Sequence, residues 1–307
     1  MAGIWQYKNL PVKGIPEHLR FSLGEGSTPL LDLDFQEYKL KIKNENVNPT
    51  GSFKDRSLAY QISYHSAKGV KKFTLSSSGN AAISAAAYCA KAQVELDLFV
   101  SSRIIPQKLE KIENYVNKKI RLHQSLRPKS DAIKFSKYSG SMDIRGSIDD
   151  IAVFGYQTIA YELTEQYPEI DAIFIPCSSG TSALGIAKGF AEMKKVVRIF
   201  LCQTAKVNAI AKVYDQNFNI SDFSLADAIV DRVAVRKKQL TDIINLVKGG
   251  AFVIEDNLLK ETKELLKNSL VKDLTYNSLL GLAAVLKSKK FAQNLEISHP
   301  VILASGT

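Results

Sequence analysis

Nine residues, Asn48 to Arg56 (NPTGSFKDR), set a lysine at the start of a predicted helix. Asn-Pro and Thr-Gly make a turn. Ser52 is placed to cap the helix predicted over 55–68, and Asp55, three residues on, completes a capping-box pattern. Lys54 then falls in the first helical turn, where the macrodipole disfavours an ammonium. That is a poor position for a structural lysine and a good one for a nucleophilic amine. A surface lysine on an ordinary capped helix is the plain alternative.

Two further loops carry small hydroxyls from a strand into a helix. Ser76 to Ala81 (SSSGNA) offers hydroxyls, a glycine and a helix N-terminus, a nest of donors suited to a carboxylate. Pro176 to Ser182 (PCSSGTS) offers four hydroxyls and a glycine, suited to a phosphate held without a lysine. Taken singly, either loop also reads as a plain strand–helix turn. No Gly-Lys-Ser/Thr or G-x-G-x-x-G pattern is present. A reactive lysine, a carboxylate nest and a phosphate cup together fit a Schiff-base cofactor with a phosphate handle acting on an amino acid. Pyridoxal 5'-phosphate is the candidate.

These loops need rigid elements behind them, and the chain supplies an alternation. From about residue 55, apolar runs such as AIFIP (172–176) and VILA (301–304) alternate with amphipathic or alanine-rich stretches such as 81–92 and 182–193. That pattern predicts an α/β protein with two lobes of largely parallel sheet flanked by helices. A break near 139–146 divides it into a small α/β domain over 60–145 and a large cofactor-binding domain over 1–59 plus 146–307.

Composition bounds the partners. With 45% hydrophobic and 23% charged residues in 307, disorder is excluded. Cys89, Cys177 and Cys202 form no C-x-x-C pair, so a disulfide framework is not expected and a reducing cytoplasm fits. No signal-peptide pattern opens the chain and no long apolar run crosses a membrane. The net charge of +10 comes from dispersed basic residues, among them Lys71-Lys72 and Arg236-Lys237-Lys238. These read as solvated helix faces, not a nucleic-acid surface. The expected partner is a small amino-acid substrate. His18, His65, His123 and His299 share no metal-ligand spacing, so no metal site is predicted.

The chain resembles the fold-type II pyridoxal-phosphate enzymes, whose fold is that of the tryptophan synthase beta chain. Within them it is most similar to threonine synthase. The resemblance rests on Trp5-Gln6-Tyr7, on 23–30 (LGEGSTPL) and on 43–56 (KNENVNPTGSFKDR). It extends through 77–82 (SSGNAA), 155–162 (GYQTIAYE), the Ser178 loop and the terminal 304–307 (ASGT). It implies that Lys54 forms the Schiff base and shuttles protons, that Phe53 flanks the ring, and that Asn80 bonds the phenolic oxygen. Ser77, Ser78, Gly79, Asn80 and Ala81 would hold the substrate carboxylate. Ser178, Ser179, Gly180, Thr181 and Ser182 would bind the cofactor phosphate. Ser305 would meet the pyridine nitrogen with a neutral hydroxyl, which favours elimination and replacement over transamination. By analogy with that family a homodimer is expected.

One stretch departs from the family. Threonine synthases act on O-phosphohomoserine and carry an arginine for its phosphate just before the helix matching 158–162; in that register this chain has Ala152. Asp149 and Asp150 add negative charge there, while Ser147 is retained and Arg145 is the candidate replacement, with Lys134 behind it. The resemblance therefore implies a lyase making L-threonine and phosphate from O-phospho-L-homoserine and water, a step of amino-acid biosynthesis. A related amino-acid lyase or β-replacement enzyme, such as a serine/threonine dehydratase, is the alternative. A non-catalytic binding protein is a third reading, against which Lys54, Asn80 and Ser305 all count.

Overall fold

The computed structural model describes residues 3–290 and 297–306; Thr307, the end of the terminal motif, lies outside them. A hairpin, β1 (Leu30–Phe35) and β2 (Tyr38–Asn44), precedes α1 (Lys54–Ala67), β3 (Lys72–Ser76) and α2 (Asn80–Ala92). β4 (Glu95–Ser101), α3 (Pro106–Glu113), β5 (Ile120–Ser125), α4 (Pro128–Ser139) and the short β6 (Met142–Asp143) follow. Next come α5 (Ala152–Gln166), β7 (Ala172–Pro176), α6 (Thr181–Glu192) and β8 (Arg198–Thr204). The chain closes with α7 (Lys237–Leu246), β9 (Gly250–Ile254), α8 (Asp256–Leu265), α9 (Tyr276–Lys290) and β10 (Pro300–Ala304).

The predicted α/β architecture is present. One sheet has the order β5-β4-β3-β6 with every neighbouring pair parallel. The other has the order β1-β2-β10-β7-β8-β9, parallel throughout except for the β1–β2 hairpin at its edge. Strands β7 and β10 are buried along their whole length, as continuous apolar runs covered on both faces should be. Phe174 and Phe200 pair across β7 and β8 with ring centroids 4.8 Å apart, and Phe252 of β9 continues the row at 6.1 Å. Helix α9 contributes Leu279, Leu280, Leu282 and Val285 to the same core.

Two compact units emerge, one of residues 1–27 and 47–158, the other of 28–46 and 159–307. The boundaries differ from the 60–145 division read from the sequence, and packing explains why. Within the first unit Trp5 stacks on Tyr60 of α1 at 5.7 Å, and Phe21 donates its N–H to Ser63 at 2.9 Å. Helix α1 in turn lies on α2, so the N-terminal segment and α1 fold with the four-stranded sheet. In the second unit β2 pairs with β10, and Lys43, fully buried, donates to Glu162, to Gln166 and to the Thr28 carbonyl. Among the described residues no helix is long and apolar enough to cross a membrane.

Candidate active site

Helix α1 begins at Lys54, with Phe53 at its N-cap. The capping box is not formed. Ser52 Oγ accepts the Lys54 N–H at 3.3 Å, while the Asp55 carboxylate turns away from it. Asp55 accepts the Thr50 N–H at 2.7 Å, the Thr50 hydroxyl at 2.5 Å and the Ser84 hydroxyl at 2.6 Å. It thereby ties the lysine loop to the first turns of α2, and with them to Asn80. Burial raises the Asp55 carboxyl to about 6 against these three hydrogen bonds, which pull it down. The sequence pattern missed this because a side chain three residues from a capping serine competes equally for any nearby donor.

Among the described residues Lys54 Nζ has no hydrogen-bond or ion-pair partner. It stands 4.7 Å from the Phe53 ring centroid and 5.7 Å from that of Tyr156, whose ring packs on Phe53 at 5.2 Å. Tyr156 is a site neighbour that the sequence reading quoted only inside a motif. Its position follows from Gly155, where an added Cβ would sit 2.1 Å from the Arg56 carbonyl oxygen, so α5 crosses α1 at backbone contact.

The carboxylate nest lies in the same unit. β3 ends at Ser76, and Gly79 caps α2, whose first residue is Asn80. Ser77 Oγ accepts the Gly79 N–H at 3.3 Å and Ser78 Oγ accepts the Ser101 N–H at 2.7 Å. Residues 77–81 are half-buried, and among the described residues the Asn80 amide has no protein partner. The first N–H groups of α2 lack intrahelical acceptors, as at any helix start.

The phosphate cup belongs to the second unit. β7 runs into Cys177, Ser178, Ser179 and Gly180, and α6 starts at Thr181. Two of its hydroxyls are already engaged by a strap over residues 230–236. Ser178 Oγ accepts the N–H groups of Val230 and Asp231 at 3.1 and 3.0 Å and donates to the Asp231 carboxylate at 3.2 Å. Arg236 Nε donates to Thr181 Oγ at 3.2 Å. Arg236 is 5% exposed, so the expectation that Arg236-Lys237-Lys238 forms a solvated face fails at its first residue. Nothing in a basic run distinguishes the member that faces inward. Ser305, directly after β10, is buried, and among the described residues its hydroxyl has no partner.

The substrate-phosphate candidates fare differently. Arg145 is held in a fork by Asp143, with Nε at 3.0 and 2.9 Å from its two oxygens and Nη2 at 2.6 Å. Ala152 is fully buried, its carbonyl accepting the Ser57 hydroxyl at 2.9 Å. Asp149 does not add charge to an open pocket: it is buried, accepting from Gln61 at 2.7 Å and paired with His65 at 2.9 Å. Burial pushes its carboxyl up, but His65, Gln61 and the Ile151 N–H together hold it below the usual range. Ser147 is half-buried, whereas Asp150 and Lys134 are exposed. Among the described residues no three His, Cys, Asp or Glu side chains gather as metal ligands.

A family model described as pyridoxal-phosphate dependent enzyme matches residues 21–306. The threonine synthase of Methanocaldococcus jannaschii is 31% identical over 201 residues, 62% of this chain and 49% of that one. The chain spans about half the length of the curated relatives it matches. Among solved structures, maize serine racemase superposes with a TM-score of 0.76 at 22% identity, covering 91% of this chain and 87% of the other. The processed threonine deaminase isoform 2 of Solanum lycopersicum gives 0.76 at 18% identity, covering 91% and 78%.

Proposed function

The chain belongs to the pyridoxal-phosphate dependent enzyme family, and from that premise we propose that it is a carbon–oxygen lyase of the threonine synthase kind, converting O-phospho-L-homoserine and water to L-threonine and phosphate. The observation that carries the reading is a set of groups left unmet by the fold. Lys54 Nζ and the Asn80 amide in the first unit, and the Ser305 hydroxyl in the second, have no hydrogen-bond partner among the described residues. That donor set fits pyridoxal 5'-phosphate.

When bound, the cofactor supplies an electron sink for the pair left at the substrate Cα once its proton is removed. Lys54 takes that proton and returns it, its amine kept from carboxylates and set against the Phe53 and Tyr156 rings. The main-chain N–H groups of Ser78, Asn80 and Ala81 receive the substrate carboxylate, since Ser77 donates its own to the Phe99 carbonyl and Gly79 its own to Ser77 Oγ. Gly180, Thr181 and Ser182 present the start of α6 to the cofactor phosphate, with Ser179 beside them. Ser178, its hydroxyl spent on the strap, serves through its main chain.

A second reading has its own observation. Within 143–152 the one cation, Arg145, is spent on Asp143, and the position of the family arginine is a buried alanine. A substrate without a phosphate, as in a serine or threonine dehydratase, needs no cation there. Product analysis separates the two. The protein is loaded with pyridoxal 5'-phosphate and given O-phospho-L-homoserine while phosphate and threonine are followed together. Equimolar release supports threonine synthesis, and Lys54→Ala then lowers it about a thousandfold or more. Keto-acid release from serine or threonine, with no phosphate from O-phospho-L-homoserine, replaces the first reading by the second.

A further inference from the structure

Helix α9 packs on β10, the strand that leads into Ser305. Ser278 and Gly281 lie three residues apart and so share a face of that helix. A Cβ added at Gly281 would stand 2.7 Å from Ile302 Cγ2 and 3.1 Å from Phe174 Cβ, so this face meets β10 and β7 without room for a side chain. One turn earlier, Ser278 is fully buried and meets Gly306. Its hydroxyl accepts the Gly306 N–H at 3.4 Å and donates to the Gly306 carbonyl at 3.2 Å. Thr275, directly before α9, donates its hydroxyl to the same carbonyl at 2.9 Å and accepts the Ser278 N–H at 3.4 Å. Pairing with β2 holds β10 as far as Ala304, opposite Asn44. Ser305 is therefore fixed on both sides: the ladder sets the residue before it, and the two hydroxyls set the peptides after it. With the backbone set, its own hydroxyl is left with three staggered directions. That hydroxyl belongs to a buried residue and has no partner among the described residues.

We propose that Thr275 and Ser278 are positioning residues for the cofactor: by clamping Gly306 they aim the Ser305 hydroxyl at the ring nitrogen. The inference rests on reading Ser305 as the group that meets that nitrogen. A pyridine nitrogen has a single lone pair, in the plane of its ring, and a hydrogen bond weakens steeply away from its line. A carboxylate partner would be less demanding, having two oxygens and a charge that acts at a distance. A neutral hydroxyl has neither, so its bond depends on the frame that holds it.

Binding tests this without turnover. Apo-protein is titrated with pyridoxal 5'-phosphate and with its deaza analogue, in which a C–H replaces the ring nitrogen, following the absorbance of each bound compound. Wild type should bind the natural compound about fivefold more tightly, the worth of one neutral hydrogen bond. Ser305→Ala should erase that preference. Ser278→Ala and Thr275→Val should each cut it to about twofold or less, and Thr275→Ser, which keeps the hydroxyl, should restore it. The Thr275 pair carries the test where Ser278→Ala fails to fold. Variants at 275 and 278 that leave the preference at its wild-type value, whether or not they weaken both compounds, would make the two residues plain supports of α9. That result overturns the inference, while erasure by Ser305→Ala keeps the reading of Ser305. A wild type without preference, or a Ser305→Ala protein that keeps it, overturns that reading and the inference with it.

Discussion

The lysine loop and the phosphate cup are built by opposite strategies. In the first unit the groups assigned to chemistry, Lys54 Nζ and the Asn80 amide, have no hydrogen-bond partner among the described residues. A neighbour, Asp55, absorbs the donors of Thr50 and Ser84 that hold the loop in shape. In the second unit the cup's own hydroxyls, on Ser178 and Thr181, are the fastening points for residues 230–236. Reactive groups must be free to change partners through a reaction, so their scaffold is separate from them. A group that only receives a phosphate stays in one arrangement, so its scaffold and its binding atoms can coincide. Substitutions in the cup should therefore cost stability and ligand together, and those at the lysine loop should divide the two.

The largest effect that tests this contrast is on glycine. Gly180 has φ +92°, and a Cβ there would sit 2.4 Å from Leu240 Cδ1 on α7. Gly180→Ala should cost about 3 kcal/mol of unfolding free energy, from backbone strain and overpacking combined, and should weaken cofactor binding more than tenfold. Gly79, the matching cap in the other loop, has φ −131° and nothing within 4 Å of its would-be Cβ. Gly79→Ala should change stability by less than about 1 kcal/mol, and its effect should fall on substrate affinity. Chemical denaturation beside a cofactor titration reads both. If the two alanines destabilise the protein equally, the contrast between the loops is lost.

Asp55 gives the next effect, and it depends on pH. Burial raises its carboxyl from about 3.8 to about 6 in the folded chain. Between those values the folded protein keeps a proton that the unfolded chain has released, so stability falls as pH rises through the window, by about 3 kcal/mol in all. Asp149 runs the other way: held low by His65 and Gln61, it adds stability above its unfolded value, lost as pH falls. Asp55→Asn removes only the first contribution. Unfolding curves at pH 4.5 and 7 should show the variant losing less than wild type on going to neutral pH. Equal losses would mean that Asp55 is ionised throughout and is held by its three donors more firmly than burial opposes it.

Much of this was legible in the residues. Lys54, the 76–81 nest and the 176–182 cup are local patterns; the structure sets the nest and the cup where a strand runs into a helix, and Lys54 at a helix start that follows a 3-10 segment and a turn. The apolar runs fixed β7 and β10 within a residue because a strand buried on both faces has a composition of its own. The β1–β2 hairpin escaped notice. Its burial alternates with exposed Asp32, Asp34 and Lys39, and only its pairing with β10 makes it a sheet edge. Arg236, Asp231 and the buried role of Asp149 were invisible for one reason. Whether a charged side chain faces water or a buried partner depends on contacts distant in sequence, such as Asp149 with His65, 84 residues apart. Charge alone does not encode that choice.

The smallest effect separates the two strategies most cleanly. Removing the Ser178 hydroxyl takes the acceptor from two N–H groups, but Val230 is exposed and water can replace the lost partner. Ser178→Ala should therefore cost only about 1 kcal/mol of stability and raise the cofactor dissociation constant about threefold with it, because the hydroxyl that fastens residues 230–231 belongs to the cup itself. Asn80→Ala is its mirror image. Its amide holds nothing within the protein among the described residues, so stability should be unchanged within about 0.5 kcal/mol, while the spectrum of the bound cofactor shifts with loss of the partner for its phenolic oxygen. Thermal unfolding of the apo-proteins and absorbance spectra of the loaded ones make the comparison. A destabilised Asn80→Ala with an unshifted spectrum would show that Asn80 is scaffold after all, and that the lysine loop is fastened through the same residues that were assigned its chemistry.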